Sequence, residues 1–206
     1  MAAVSETIVR EYFELHGFLV RQERKHVPRT RQEGDGIDFF VWNPQPQPAS
    51  GELAFQLSSE TLRMVSRAVV VVRGWHTESF GPAMLERAPD LYRFVEPSIF
   101  QKAARQFSPD LPPLKILVVP ALAHTEAGRD QAIKVLQAKG VDAVISFRTI
   151  LADLIAHTAI NRNYDKSDLL QIIRIFKNYD FFKTPQLELF RAGRRPASSR
   201  RPVKPA

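Results

Sequence analysis

The chain has 206 residues, 44% hydrophobic and 25% charged, with no cysteine and a formal net charge of +7. That is the length of one ordinary domain with room for a real core, and the lack of cysteine excludes disulfides, thiolate zinc sites and iron–sulfur clusters. The N-terminus has no basic segment leading into an apolar one, and no apolar run nears the roughly 18 residues of a membrane helix, so a soluble, intracellular and cytoplasmic protein is expected.

In chain order, residues 5–16 predict a helix: Ser5 stands at its cap, Glu6 in its first turn, and Ile8, Val9, Tyr12, Phe13 and Leu15 form one apolar face. Gly17 ends it, residues 18–22 follow as a strand, and the charged segment 21–33 with Pro28 reads as a connection. Residues 37–42 form a short apolar run that suits a buried strand. The segment 43–51 carries three prolines and a glycine, which break regular structure. A further strand is expected at 53–57 and one or two helical turns at 59–66. Residues 68–72, an alanine and four valines, give the clearest central-strand signal in the chain.

Beyond Trp75 an irregular region with short helices leads into a helix at 97–106. Residues 115–119 predict a buried strand, 126–139 an amphipathic helix closed by Gly140, and 141–147 another strand. This strand–helix–strand order implies a right-handed crossover between parallel neighbours. Two more helices are expected at 149–158 and 166–179, the second with Arg174 and Lys177 opposite its apolar face. A helix, early strands in a meander and then strand–helix–strand–helix predict a three-layer α/β/α sandwich around a central mixed sheet.

The charge is uneven. Residues 190–206 hold Arg191, Arg194, Arg195, Arg200, Arg201 and Lys204 with no acid, which is +6 of the +7. The expected organisation is therefore one α/β domain over 1–189 and a basic, Pro- and Ser-containing disordered tail over 190–206. Such a tail supplies affinity for phosphates without sequence preference, or serves only as a solubilising end.

Glu6 on the first helix, Asp38 at the head of a buried strand and the end of the valine strand are spaced so that they can converge. Two carboxylates with a backbone carbonyl suit a hard cation such as Mg²⁺, which stabilises charge on a phosphate and activates water. The stretch from Glu6 to His76 resembles the PD-(D/E)XK nuclease superfamily, the restriction-endonuclease-like fold. The segment SETIVREYFELHGFLVRQ is similar to its first helix and strand, GIDFFVWN to its aspartate strand, and VVVVRGWH to its strand ending in E-x-K-G. The resemblance implies a degenerate catalytic set of Glu6, Asp38 and Arg73, with Glu6 and Asp38 as the metal ligands. Mg²⁺ is the cofactor if the protein is active.

In this alignment Val71 replaces the acidic ligand and Arg73 the lysine. Valine binds no cation. Arginine stays protonated and cannot act as a base, although its planar fork grips phosphate. The expectation is a nuclease-like protein that binds nucleic acid, DNA first, through Arg73 and the tail arginines, with weak or lost catalysis. A second copy of the chain is a further expected partner, and a membrane is not. One alternative is an active Mg²⁺-dependent endonuclease of restriction or repair type, with its acid relocated to Asp35, Glu52, Glu60 or Glu78. Another is a protein-interaction domain with no nucleic-acid role. Blander readings stand beside these: Glu6 as an acid at a helix N-terminus, Asp38–Arg73 as a plain salt bridge, Asp35 as a turn residue and Trp75 as core. The five histidines show no metal-ligand spacing.

Overall fold

A computed structural model of the chain describes residues 2–23, 36–48, 51, 53–109 and 111–182. Asp35, Glu52 and the tail arginines lie outside these residues. The chain divides into two compact units, Met1–Thr158 and Ala159–Ala206, and the tail expected over 190–206 lies outside the described residues.

The first unit opens with helix α1 (Ala2–Leu15), which buries Val9, Tyr12 and Phe13 completely. Gly17, in the left-handed region at φ 80°, turns the chain into strand β1 (Leu19–Gln22). Strand β2 (Phe39–Trp42) follows, then the short helix α2 (Ser59–Leu62), and strand β3 (Arg67–Val72). The Ser58 and Thr61 side chains cap α2 reciprocally. Helix α3 (Pro82–Arg87), a 3-10 helix (Pro89–Val95) and helix α4 (Pro97–Ala104) each begin at a proline. Strand β4 (Leu114–Val119), helix α5 (Glu126–Ala138), strand β5 (Ala143–Ser146) and helix α6 (Phe147–His157) complete the unit.

The five strands form one mixed sheet in the order β1-β2-β3-β4-β5. The first three pair antiparallel as a meander, and β3, β4 and β5 are parallel. The parallel pairing of β4 and β5 across α5 is the expected one. Residues 53–57 form no strand. Gln56 makes an isolated parallel bridge to Val144, and the chain then turns at once into the Ser58 cap of α2, leaving no length for a ladder.

Strand β3 explains the four valines. Val69 and Val71 join a core with Phe40, Phe80, Leu85, Leu117 and Leu136, while Ala68 and Val70 are fully buried on the alternate face. Helices flank the sheet: α1 packs on α6 and on β3, and α3 packs on α5. The architecture is α/β with a five-stranded mixed sheet, consistent with a three-layer sandwich.

The second unit holds helix α7 (Asp168–Asn178), capped by the Ser167 side chain. Within it the Tyr164 hydroxyl accepts from the Ala159 N–H, and Arg174 Nε donates to the Ile160 carbonyl. Leu170 and Ile173 are buried, whereas Ile172, Ile175 and Phe176 are exposed, so α7 shows more apolar surface than an ordinary solvated basic face would. Among the described residues no helix is long and apolar enough to cross a membrane.

Candidate functional site

The candidate site lies where β2 begins and β3 ends, beside the first half of α1. Asp38 immediately precedes β2 and continues its pairing: its N–H donates to the Val70 carbonyl (3.0 Å), and its own carbonyl accepts from the Glu23 N–H (3.0 Å). Beyond this point the backbone of β2 no longer serves β3. The side chain of Asp38 does so instead, with Oδ2 accepting from the Val72 N–H at 2.6 Å.

Arg73 completes the arrangement. Its Nη1 lies 3.5 Å from Asp38 Oδ2 and donates to the Val72 carbonyl at 2.9 Å, while Nη2 donates to the Gly36 carbonyl at 3.4 Å. The guanidinium is therefore turned onto protein acceptors. The Arg73 and Asp38 side chains are 18% and 22% exposed. Burial pushes the Asp38 carboxyl up to about 6; the Val72 N–H and the Arg73 charge pull it back, and the Glu6 charge raises it further. Burial likewise lowers Arg73, against the opposing effects of Asp38, Asp90 and Glu6.

Glu6 reaches this neighbourhood because α1 sits hard against the end of β3. Ser5 is buried and its Oγ hydrogen-bonds His76 Nε2 at 3.2 Å. A Cβ on Gly74 would lie 2.7 Å from the Ser5 Cβ, so glycine is what lets the helix approach. Glu6 Oε2 accepts from Gln22 Nε2 at 2.8 Å, on the wall of a pocket of about 180 Å³ also lined by Ala3, Thr7, Arg10 and Phe39. The three residues singled out in the sequence thus lie in one electrostatic neighbourhood, with Asp38 and Arg73 in contact and Glu6 acting on both through its charge.

Other sequence candidates fall elsewhere. Val71 is fully enclosed in the core and offers no oxygen. Glu60 stands in the first turn of α2, and the Glu78 N–H closes a local turn onto the Trp75 carbonyl. Trp75, expected in the core, is 40% exposed and stacks on Phe80 with ring centroids 5.8 Å apart. Gln22, Ser5, His76 and Asp90 were not legible as neighbours of the site. Asp90 follows a proline in the 3-10 helix, which signals only a local turn.

Among the described residues no group of three or more His, Cys, Asp or Glu is placed to hold a metal ion. Asp38 Oδ2 is shared between Val72 and Arg73, Glu6 Oε2 is engaged by Gln22, and position 71 is apolar. These residues, so arranged, do not fit Mg²⁺. No protein-family profile matches the chain, and neither does any curated protein or solved structure.

Proposed function

We propose that this chain is a PD-(D/E)XK-like domain that binds nucleic acid, DNA first, and has lost efficient cleavage. The sheet order supports the reading: an antiparallel meander of β1, β2 and β3 joined by parallel β4, with Asp38 and Arg73 at the adjoining ends of β2 and β3. The observation that carries it is the engagement of Arg73. Its Nη groups serve Asp38 and two backbone carbonyls, in the place where an active member would keep a lysine free beside water. The pair holds the ends of the two strands together, and Arg73, always protonated, cannot stand in for the lysine as a base.

With Arg73 turned inward, affinity for phosphate comes from cations elsewhere, namely the basic segment 190–206 and exposed arginines of the first unit. The test is a binding titration of the full chain with labelled DNA and RNA over a range of salt, with Mg²⁺ or Mn²⁺ present and the strands analysed for cleavage. Salt-sensitive binding with intact strands is expected. Metal-dependent products that vanish in Asp38→Ala would show an active nuclease, and no binding at low salt would favour a protein-interaction domain.

A further inference from the structure

We infer that the β1–β2 face carries a stacking pocket for an unpaired nucleobase, making single-stranded nucleic acid the ligand class of this domain; the inference rests on the nucleic-acid reading above. A pocket of about 190 Å³ opens there, lined by Leu19, Arg21, Phe40, Trp42, Gln106 and Phe107 together with the strand residues Val20 and Val41. An apolar cavity of about 150 Å³ already accommodates a benzene ring, so this pocket has room for a heteroaromatic base.

Its construction follows from the strand register. Leu19 is the partner of Trp42 and Arg21 the partner of Phe40, so all four side chains share one face of the sheet. Phe107 packs edge-on against Phe40 and closes one side. Trp42 remains 56% exposed and Leu19 59% exposed, which leaves a broad indole surface at the mouth. The Arg21 guanidinium lies over the Phe40 ring, 5.8 Å from its centroid, and Nη1 donates to Gln106 Oε1 at 3.0 Å. With its carbonyl engaged by Arg21, the Gln106 amide retains donor hydrogens for acceptors on a base edge. The lining holds one cation and no carboxylate, so its charge favours a ligand with an anionic backbone.

Aromatic platforms beside a cationic track suit single strands, because each unpaired base exposes a face that a duplex keeps within its own stack.

The test uses the full chain with a short oligothymidylate, its ribo counterpart and a duplex of matched length. In a Trp75→Phe background Trp42 is the remaining tryptophan, and single-strand binding is expected to quench its fluorescence while the duplex does not. Trp42→Leu should weaken single-strand binding about 5- to 100-fold, the effect of losing one base–aromatic stack, whereas Trp42→Phe should retain most of it. Arg21→Ala should weaken binding and reduce its salt dependence. Thermal melts of each variant establish that it is folded, and the quenching is read on a chain that keeps Trp42. Single-strand binding that is unchanged in Trp42→Leu and leaves the fluorescence unquenched would overturn the pocket while leaving the nucleic-acid reading in place. A chain that binds neither strand nor duplex would overturn both.

Discussion

The Asp38–Arg73 pair gives the site a pH dependence with a definite sign. The carboxyl is raised from its ordinary 3.8 to about 6 in the folded chain, chiefly by burial. Between these values the folded state holds a proton that the unfolded state has released, so stability falls as pH rises through the window. At about 1.4 kcal/mol per pH unit the loss is on the order of 2–3 kcal/mol. Asp38→Asn removes this titration; unfolding midpoints measured from about pH 4 to pH 7 should decline more for the native chain than for the variant. A parallel pair of curves would contradict the assignment. Arg73→Ala takes away the cation that favours the carboxylate, so its cost should be larger at about pH 8 than at about pH 5 and near 2 kcal/mol at the higher value, between an exposed and a fully buried pair. Denaturant titrations at the two pH values measure both the cost and its sign.

At the scale of elements, α1 is held at two independent places. One is the close approach of Ser5 to Gly74 at the end of β3. Gly74→Ala should destabilise by about 1–3 kcal/mol through overpacking, and Ser5→Gly in the same chain should restore part of that stability; both are read from thermal or denaturant unfolding. The other joins α1 to α6. His16 Nε2 lies 2.6 Å from Asp153 Oδ2, with the two side chains only 5% and 10% exposed, and His157 Nδ1 lies 3.3 Å from Asp153 Oδ1. Asp153→Ala should cost about 2–4 kcal/mol and reduce hydrogen-exchange protection in α1 and α6 first; unchanged protection there would count against a clasp. This cluster also marks the limit of sequence reading. His16 and His157 stand far apart in the chain, and only the packing of α1 on α6 brings them together. The strands and helices were legible because their residues carry local patterns: the unbroken apolar run of β3, the apolar face of α1, the glycines at 17 and 140. Asp38 and Arg73 were legible because each stands at the end of an apolar run. Gln22 beside Glu6, the Val72 N–H on Asp38 and the influence of Asp90 depend on sheet register and on the seat of a 3-10 helix, which no local pattern encodes. Residues 53–57 are mostly apolar and were expected as a strand, yet a cap begins at Ser58 before a ladder can form.

For the whole molecule, charge placement and site chemistry point to binding without cleavage. The segment 190–206 carries +6 of the +7 net charge, so removing it should weaken low-salt binding to nucleic acid and flatten the dependence of log K on log salt, by up to about 0.9 for each phosphate that is no longer neutralised. A slope that does not change would assign phosphate binding wholly to the remaining chain. The fold brings Asp38 and Arg73 together, and under the proposed function their mutual engagement, rather than a missing strand or a broken sheet, is what would prevent cleavage. The most direct test is a single set of samples in which the full chain is titrated onto labelled single-stranded and duplex DNA and RNA with Mg²⁺ or Mn²⁺, and each sample is read for complex and for strand integrity. The expected result is a salt-sensitive complex with uncut strands. Metal-dependent cleavage that disappears in Asp38→Ala would contradict it.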